Sequence, residues 1–511
     1  MPAPALPQEV FDQVTRAWAI QDYGLGEQLL AEARKTYPDH WHLRTCHAAA
    51  IAYCSRFRTA RDAFDRLIAD APEEKKAHMN GLLGVEWCRI GRHDLAIPLL
   101  RVALAAPNPP APVFEALASA QEHVRDHAGA QETLDRGLRK FPGHPGQMIV
   151  RARIYRHTGN QDQAIASARQ ILASPIASPE AKAMAGHELG HVLDAQGRYA
   201  DAFAAFSAAK QARRAQLAPF QPIWEQGLRG LQSVALPERE DFVRWQDNND
   251  GTADHLRLAM LVGCPRSGTT LLERVLDAHP DLASASETSI FSNIWNACLR
   301  AMAAANNPLQ TVEDLSIASI REMRATYHEQ MEEALEQAVG HRLLLDKNPS
   351  QLSRIPIIKR VFPEARILMA LRDPRAIAWS CFTQYLPDNS ESAGFNTMVT
   401  TVEHVATQLG FWLRLRERLP PGTWHETRYE RMVGSFGEES RRTLAFLGLP
   451  WDPKVADFHT NPSPVRSPTY AEAARPVYDH ALEKWRHYEP FLGNAFDKLA
   501  PVMTALGYPP A

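Results

Sequence analysis

The chain has 511 residues, of which 45% are hydrophobic and 23% charged, and its formal net charge is −3. This length exceeds one ordinary hydrophobic core, so we expect two domains and allow for three. The balanced charge argues against bulk nucleic-acid binding, and no apolar run approaches the roughly 18 residues of a membrane span. The stretch "MPAPALPQEVFDQV" shows no basic region followed by an apolar run, so we expect no secretory signal, and the six cysteines show no C-x-x-C spacing. We therefore predict a cytoplasmic protein with reduced thiols, acting without nucleic acid or membrane.

The first two hundred residues repeat with a period near 34. Prolines close successive units at spacings of 34, 35, 35 and 33, namely at Pro38, Pro72, Pro107, Pro142 and Pro175. Alanines keep a similar period at the start of each second helix: Ala60, Ala96, Ala130, Ala164 and Ala202. This pattern resembles the tetratricopeptide repeat, in which pairs of short helices stack into a solenoid. We predict an all-α solenoid over residues 1–217, with about six units, the first of them degenerate.

The repeat stops near Pro219. Residues 218–255 are mixed in character and include the turn cluster "DNNDG", so we predict an irregular linker there. From residue 256 the pattern alternates between short apolar runs and amphipathic helices. The runs "LRLAMLVG", "HRLLLDKNP" and "ARILMALRDP" read as buried strands. Residues 256–511 are therefore predicted to form an α/β domain with a central parallel sheet and a P-loop-like turn.

Three cations follow the predicted strands of this domain. Arg266, Lys347 and Arg372 each lie just beyond the end of an apolar run. Sites in parallel sheets form at the carboxyl ends of the strands, so we expect these cations to converge. Their convergence predicts a site for an anionic ligand.

The stretch "GCPRSGTTLLE", Gly263 to Glu273, resembles a phosphate-binding loop that leads into a helix. Backbone amides at a helix N-terminus and the Arg266 guanidinium suit a tetrahedral oxyanion. However, Thr269 occupies the position where a nucleotide-triphosphate loop carries lysine. A phosphate-like group is therefore expected, whereas ATP with magnesium is not.

These residues resemble the sulfotransferases that use 3′-phosphoadenosine 5′-phosphosulfate (PAPS), and most of all the tyrosylprotein sulfotransferases. The resemblance covers roughly residues 256–492 and depends on three motifs in family order: "PRSGTTLLERVLDAHPDLASASET", "LDKNP" and "LRDPRAIAWS". It implies transfer of a sulfuryl group from PAPS to an acceptor hydroxyl, without a metal and with adenosine 3′,5′-bisphosphate as the second product.

The resemblance also implies roles for individual residues. The 5′-phosphosulfate would be held by Arg266, Ser267, Gly268, Thr269 and Thr270. The 3′-phosphate would be held by Arg372 and Ser380, while Tyr429 would contact the nucleotide. Glu287 would act as the general base, with Arg266 and Lys347 stabilising the transferring charge. Ser467 and Lys484 would form a C-terminal pair near the sulfuryl group, although their spacing departs from the family by about two residues. Gln384 replaces a family arginine, so the 3′-phosphate could instead use Arg375.

The acceptor is left open by the sequence. A solenoid joined to a domain of this type suggests a protein or peptide tyrosine, held in part by the repeats. A glycan, lipid or small-molecule hydroxyl is the alternative, and a P-loop kinase or a non-catalytic repeat scaffold is a weaker one. A homodimer is possible. Each site residue also has a purely structural interpretation: Lys347 and Arg372, for example, could simply pair with Asp346 and Asp373.

Overall fold

The computed structural model describes residues 8–247, 256–305, 311–460 and 482–509. The amino-terminal half is helical, and the carboxy-terminal half contains a five-stranded parallel sheet covered by helices. The predicted fold class, a helical repeat domain before an α/β domain, is therefore confirmed.

Six antiparallel helix pairs form the solenoid, in agreement with the predicted number of repeats. Their helices are α1 Gln8–Ala19, α2 Tyr23–Thr36, α3 Trp41–Tyr53, α4 Phe57–Asp70, α5 Glu73–Arg89, α6 His93–Leu104, α7 Ala111–His123, α8 His127–Lys140, α9 Pro145–His157, α10 Gln161–Ala173, α11 Pro179–Ala195 and α12 Tyr199–Ala212. The periodic alanines sit in the second helix of their units, and each is at most 1% exposed. Their small side chains let neighbouring helices approach closely, which accounts for the period seen in the sequence.

The turn inside each pair contains one residue in the left-handed region. Three of these six residues are glycines and three carry side chains: Gln21, Ser55, Gly91, Arg125, Gly159 and Gly197. A residue other than glycine costs about 1–2 kcal/mol in this conformation. Stacking between neighbouring units has to offset that cost in the first, second and fourth repeats.

Over its described residues, 218–247, the predicted linker contains helices instead of irregular chain, and the predicted turn "DNNDG" lies outside the described residues after Asp247. After α13 (Arg214–Leu217) and a 3₁₀ turn (Ala218–Phe220) come α14 (Gln221–Ser233) and α15 (Arg239–Asp247). The Trp224 indole on α14 donates a hydrogen bond to His404 Nδ1 at 2.9 Å, in the second domain. The Trp245 indole on α15 likewise donates to Glu313 at 2.8 Å. Buried tryptophans therefore attach these helices to the α/β domain.

The sheet has the order β2-β3-β1-β4-β5, and every neighbouring pair is parallel. Its strands are β1 Leu258–Gly263, β2 Leu282–Ser286, β3 Leu343–Lys347, β4 Arg366–Leu371 and β5 Trp424–Arg428. The three central strands are the three predicted from the sequence. The two edge strands, "LASAS" and "WHETR", were not predicted because they lack an apolar run.

Helices cover both faces of the sheet. They are α16 Thr269–Asp277, α17 Ile290–Ala304, α18 Ile317–Leu335, α19 Ile355–Val361, α20 Pro374–Thr383, α21 Ser390–Gly394, α22 Met398–Arg418, α23 Tyr429–Gly434, α24 Phe436–Phe446, α25 Glu489–Leu492 and α26 Ala500–Leu506. Short 3₁₀ turns occupy Val312–Asp314, Pro349–Arg354, Pro453–Val455, Phe458–Thr460, Lys484–Tyr488 and Asp497–Leu499. Alternate residues of β1 face opposite layers: Ala259 and Leu261 join the cluster under α16 and α24, whereas Met260 and Val262 join the larger core.

The solenoid contacts the α/β domain at both of its ends. In the first repeat, the Gly24 backbone amide donates to Asn293 on α17 at 3.2 Å. In the third repeat, Arg92 is 2.7 Å from Glu336, just after α18. In the last repeat, His187 is within hydrogen-bond distance of the Thr383 carbonyl, at 2.9 Å. The first, third and last repeats therefore all contact the α/β domain.

Candidate functional site

The predicted site residues converge at the carboxyl edge of the sheet. Five of them lie at or just after the end of a strand. Arg266 lies in the loop after β1, Glu287 follows β2, Lys347 ends β3, Arg372 follows β4 and Tyr429 follows β5. Because the strands are parallel and in register, all five residues emerge on one side. The site is thus built from five segments that are distant in sequence.

The loop after β1 has the form of an anion cradle. Gly268 has φ +98°, and a Cβ placed there would lie 2.6 Å from Tyr429 Cδ2, so only glycine fits. Thr269 and Thr270 open helix α16 directly afterwards, with backbone amides at its positive end. The Ser267 hydroxyl is buried and has no hydrogen-bond partner among the described residues. A buried donor of this kind, beside free helical amides, fits an anionic group such as a phosphate.

The two phosphate segments predicted from the sequence are in contact. Arg266 donates from Nε to the Ser380 hydroxyl at 3.0 Å, and Arg372 donates to the Arg266 carbonyl at 3.2 Å. The Arg372 guanidinium also lies 4.6 Å from the centre of the Tyr429 ring. Arg266 itself has φ +71°, a strained conformation that these contacts maintain.

A carboxylate and a lysine meet beside this loop. Lys347 Nζ is 2.6 Å from Glu287 Oε1 and 3.2 Å from Glu273 Oε2, and the lysine side chain is fully buried. Burial alone would lower the pKa of Lys347, but the two carboxylates outweigh it and raise that pKa. The lysine is therefore a fixed cation.

Glu287 is the accessible member of this cluster. Its side chain is 36% exposed, and its backbone adopts φ +51°. Its amide donates to the Lys347 carbonyl at 2.6 Å, which fixes the turn between β2 and α17. Backbone strain in a residue other than glycine is typical of functional positions. This strain and exposure place a carboxylate where a reacting group can reach it.

Glu273 was not predicted as part of the site. It accepts hydrogen bonds from the Ser284 hydroxyl at 2.7 Å and the Ser286 hydroxyl at 3.2 Å. Burial raises the pKa of Glu273, and the Lys347 ammonium opposes that rise. In the sequence, the one indication of its importance was that the acidic Glu273 stands within the largely apolar stretch "LLERVL". Glu273 holds the Lys347 ammonium in place, so that the ammonium also contacts Glu287.

The predicted C-terminal pair is not seen together. Ser467 lies outside the described residues. The Lys484 ammonium pairs with Asp194 of the last repeat. Arg375, considered for the 3′-phosphate, is held by Asp373 at 2.8 Å and stacks on Trp485 at 4.1 Å. In the structure, Lys484 therefore lies at the interface with the repeats. Arg375 forms an ion pair with Asp373.

The last repeat also reaches the site electrostatically. Burial lowers the pKa of His191 on α11 to about 3, with a contribution from the positive charges of Arg156, Lys484 and Arg266 that Glu188 partly opposes. His191 therefore lies within the field of the loop arginine while remaining neutral. The last repeat also contacts α20, the helix that carries Ser380, through His187 and the Thr383 carbonyl.

The geometry combines a loop of the form of an anion cradle with an accessible carboxylate at one edge of an α/β domain. Residues 259–453 match the sulfotransferase family, and residues 53–112 and 116–182 match tetratricopeptide repeats. The chain therefore contains a sulfotransferase family domain preceded by tetratricopeptide repeats, as its motifs had suggested.

Several relatives share this similarity at low identity. Protein-tyrosine sulfotransferase 1 of Danio rerio is 27% identical over 273 residues, which cover 50% of this chain and 72% of that protein. An uncharacterized protein of Aquifex aeolicus is 24% identical over 342 residues, or 66% of this chain, but the match spans only 44% of that protein. Among solved structures, the sulfotransferase domain from the curacin biosynthetic pathway is 18% identical, with a TM-score of 0.35, and covers 50% of this chain and 99% of that domain.

No helix in the described part of the chain is long and apolar enough to cross a membrane.

Proposed function

We propose that this protein transfers a sulfuryl group from PAPS to an acceptor hydroxyl. The observation that supports this most is the contact between Glu287 and Lys347, at 2.6 Å, beside a loop that carries Arg266. An accessible carboxylate, a buried ammonium and an anion cradle are the parts needed to move an anionic group onto a hydroxyl.

The donor would be held at both of its phosphate positions. The loop amides, with Ser267, Thr269 and Thr270, would bind the 5′-phosphosulfate. Arg372 and Ser380 would bind the 3′-phosphate. The Arg372 guanidinium lies 4.6 Å from the centre of the Tyr429 ring, a contact that would support both side chains beside a bound nucleotide. PAPS supplies an activated sulfuryl group whose leaving group is a stable bisphosphate.

Glu287 would take the proton from the acceptor hydroxyl. A phenol with a pKa of about 10 is a weak nucleophile at neutral pH, and a positioned base accelerates such a step by roughly 10²–10⁴. Lys347 and Arg266 would stabilise negative charge on the transferring and departing oxygens, in the manner of an oxyanion hole. Glu273 keeps Lys347 in position for this task.

For the acceptor we propose a protein or peptide tyrosine, on the strength of the relatives named protein-tyrosine sulfotransferase. The solenoid supports this proposal because its last repeat contacts α20, which carries Ser380, so a bound polypeptide would extend from the catalytic edge onto the repeats. A glycan, lipid or small-molecule hydroxyl would use the same edge and would leave the donor site unchanged.

Calorimetric titration with adenosine 3′,5′-bisphosphate, beside ATP with magnesium, tests the proposal. We expect the bisphosphate to bind with micromolar affinity and Arg266→Ala to weaken it strongly. Exposed Arg257→Ala is a matched control, since this side chain points to the His341 and Gly448 carbonyls, away from the loop. Binding of ATP with magnesium alone would contradict the proposal and indicate a kinase.

A further inference from the structure

A second carboxyl group lies beside the catalytic pair. Glu391, on the short helix α21, accepts a hydrogen bond from the Ser350 hydroxyl at 3.3 Å. Its other oxygen is 3.9 Å from His404 Nε2, and a quarter of its side chain is exposed. The group is thus largely enclosed, yet a ligand can still reach it.

Two polar residues connect Glu391 to the catalytic turn. Ser350 follows Lys347 by three residues, and its backbone amide donates to the Asn348 side chain at 3.0 Å. Asn348 in turn donates to the Thr288 carbonyl at 2.8 Å, immediately after Glu287. The segments that carry Glu391, Lys347 and Glu287 are therefore held together by consecutive hydrogen bonds.

Glu391 faces no cation among the residues the structure describes around it. Its neighbours are the Ser350 hydroxyl, the His404 ring and the Glu287 carboxylate. Burial lowers the pKa of His404 to about 4, so that ring is neutral, and its Nδ1 accepts from Trp224. Burial, followed by repulsion from Glu287, raises the pKa of Glu391 to about 7.

Three other enclosed carboxylates of this domain have cationic partners, whereas the buried Asp346 accepts a hydrogen bond from the Tyr327 hydroxyl at 2.9 Å. Glu273 pairs with Lys347, Asp373 pairs with Arg375 at 2.8 Å, and Glu364 pairs with Arg324 at 2.7 Å. An enclosed carboxylate without such a partner is costly, and a ligand cation would offset that cost. Glu391 is therefore suited to bind a positive charge that arrives with the substrate.

We propose that Glu391 selects the acceptor, and that the preferred acceptor carries a protonated amine or guanidinium close to its reacting hydroxyl. This inference rests on the proposed sulfuryl transfer and narrows its substrate class. The donor side of the site is cationic, with Arg266, Lys347 and Arg372, whereas the acceptor side would combine Glu287 with Glu391. A tyrosine beside a basic residue, or a small phenolic amine, would match this arrangement.

Three phenols that differ chiefly in the charge at the end of a short side chain test the proposal: tyramine, 4-ethylphenol and 3-(4-hydroxyphenyl)propionate. Binding of each is measured by calorimetry to the full chain saturated with adenosine 3′,5′-bisphosphate, at pH 8, and sulfation of each is measured with PAPS. We expect tyramine to bind about tenfold tighter than 4-ethylphenol, and the anionic phenol to bind most weakly.

Glu391→Gln should abolish the preference for tyramine while leaving 4-ethylphenol unchanged. Glu417→Gln, which removes an exposed carboxylate near the end of α22, should keep the preference and serves as the control. A tyramine preference that survives in Glu391→Gln, or equal binding of all three phenols to the unaltered protein, would overturn the proposal. Failure of the proposed sulfuryl transfer would appear separately, as absence of bisphosphate binding.

Discussion

Replacing Lys347 by methionine should destabilise the protein and abolish transfer, and the two effects should have separate causes. The ammonium is fully buried and lies 3.2 Å from Glu273 and 2.6 Å from Glu287. Methionine fills a similar volume but leaves the Glu273 carboxylate buried without a cation. Glu287 is partly exposed, so water can solvate it in the variant.

Without a cation beside it, the buried Glu273 carboxylate loses its charge most readily by binding a proton. The free energy of that protonation sets the size of the stability loss. Protonating a glutamate of unfolded pKa about 4.3 at pH 7 spans 2.7 pH units, or about 3.7 kcal/mol at 1.36 kcal/mol per unit. This value is an upper limit, because burial already raises the pKa of Glu273 in the native protein. At pH 5 the same step costs only about 1 kcal/mol. The Lys347 ammonium opposes the rise that burial causes in the pKa of Glu273, so its removal costs more at neutral than at acidic pH.

Thermal melting at pH 7 and pH 5 measures this loss. Lys347→Met should lower the melting temperature of the α/β domain by roughly 10 °C at pH 7 and much less at pH 5. Adding Glu273→Gln should restore most of the stability, because a neutral amide no longer needs a cation. Sulfuryl transfer should stay lower by about 10²–10³ in the double variant. Transfer that returns with stability would refute a catalytic role for Lys347.

Three further predictions concern the same edge of the sheet. Glu287→Gln should keep bisphosphate affinity within about twofold but lower turnover by about 10²–10⁴; weak binding by calorimetry would instead make Glu287 structural. Gly268→Ala should lose bisphosphate binding, because its Cβ would meet Tyr429 and its φ is +98°; unchanged affinity would refute the cradle. The tyramine preference should rise between pH 6 and pH 8 as Glu391 ionises, since its pKa is raised to about 7. A flat calorimetric profile over that range would contradict this role.

The sequence predicted best those features that are encoded locally. The period of the prolines and alanines located the repeats because each unit meets only its neighbours. The runs in β1, β3 and β4 identified the central strands because both of their faces are buried. The cations that follow those strands could then be placed at one edge by the general rule for parallel sheets.

What the sequence did not predict depends on contacts between distant segments. β2 and β5 lie at the edges of the sheet, where small or polar residues suffice. Glu273 and Glu391 carry no motif of their own, and their importance appears only once Lys347 and Ser350 lie beside them. The role predicted for Lys484 stays a prediction, and in the structure its ammonium pairs with Asp194. Domain boundaries at 217 and 255 remain predictions.

The most direct test of the account is sulfur-35 transfer from labelled PAPS to tyramine and to tyrosine-containing peptides, with Glu287→Gln as the inactive reference. The account predicts label in the acceptor in equal amount to the adenosine 3′,5′-bisphosphate released, and loss of both in the variant. Equal labelling by the native protein and by Glu287→Gln, or bisphosphate binding with no transfer to any hydroxyl acceptor, would contradict it.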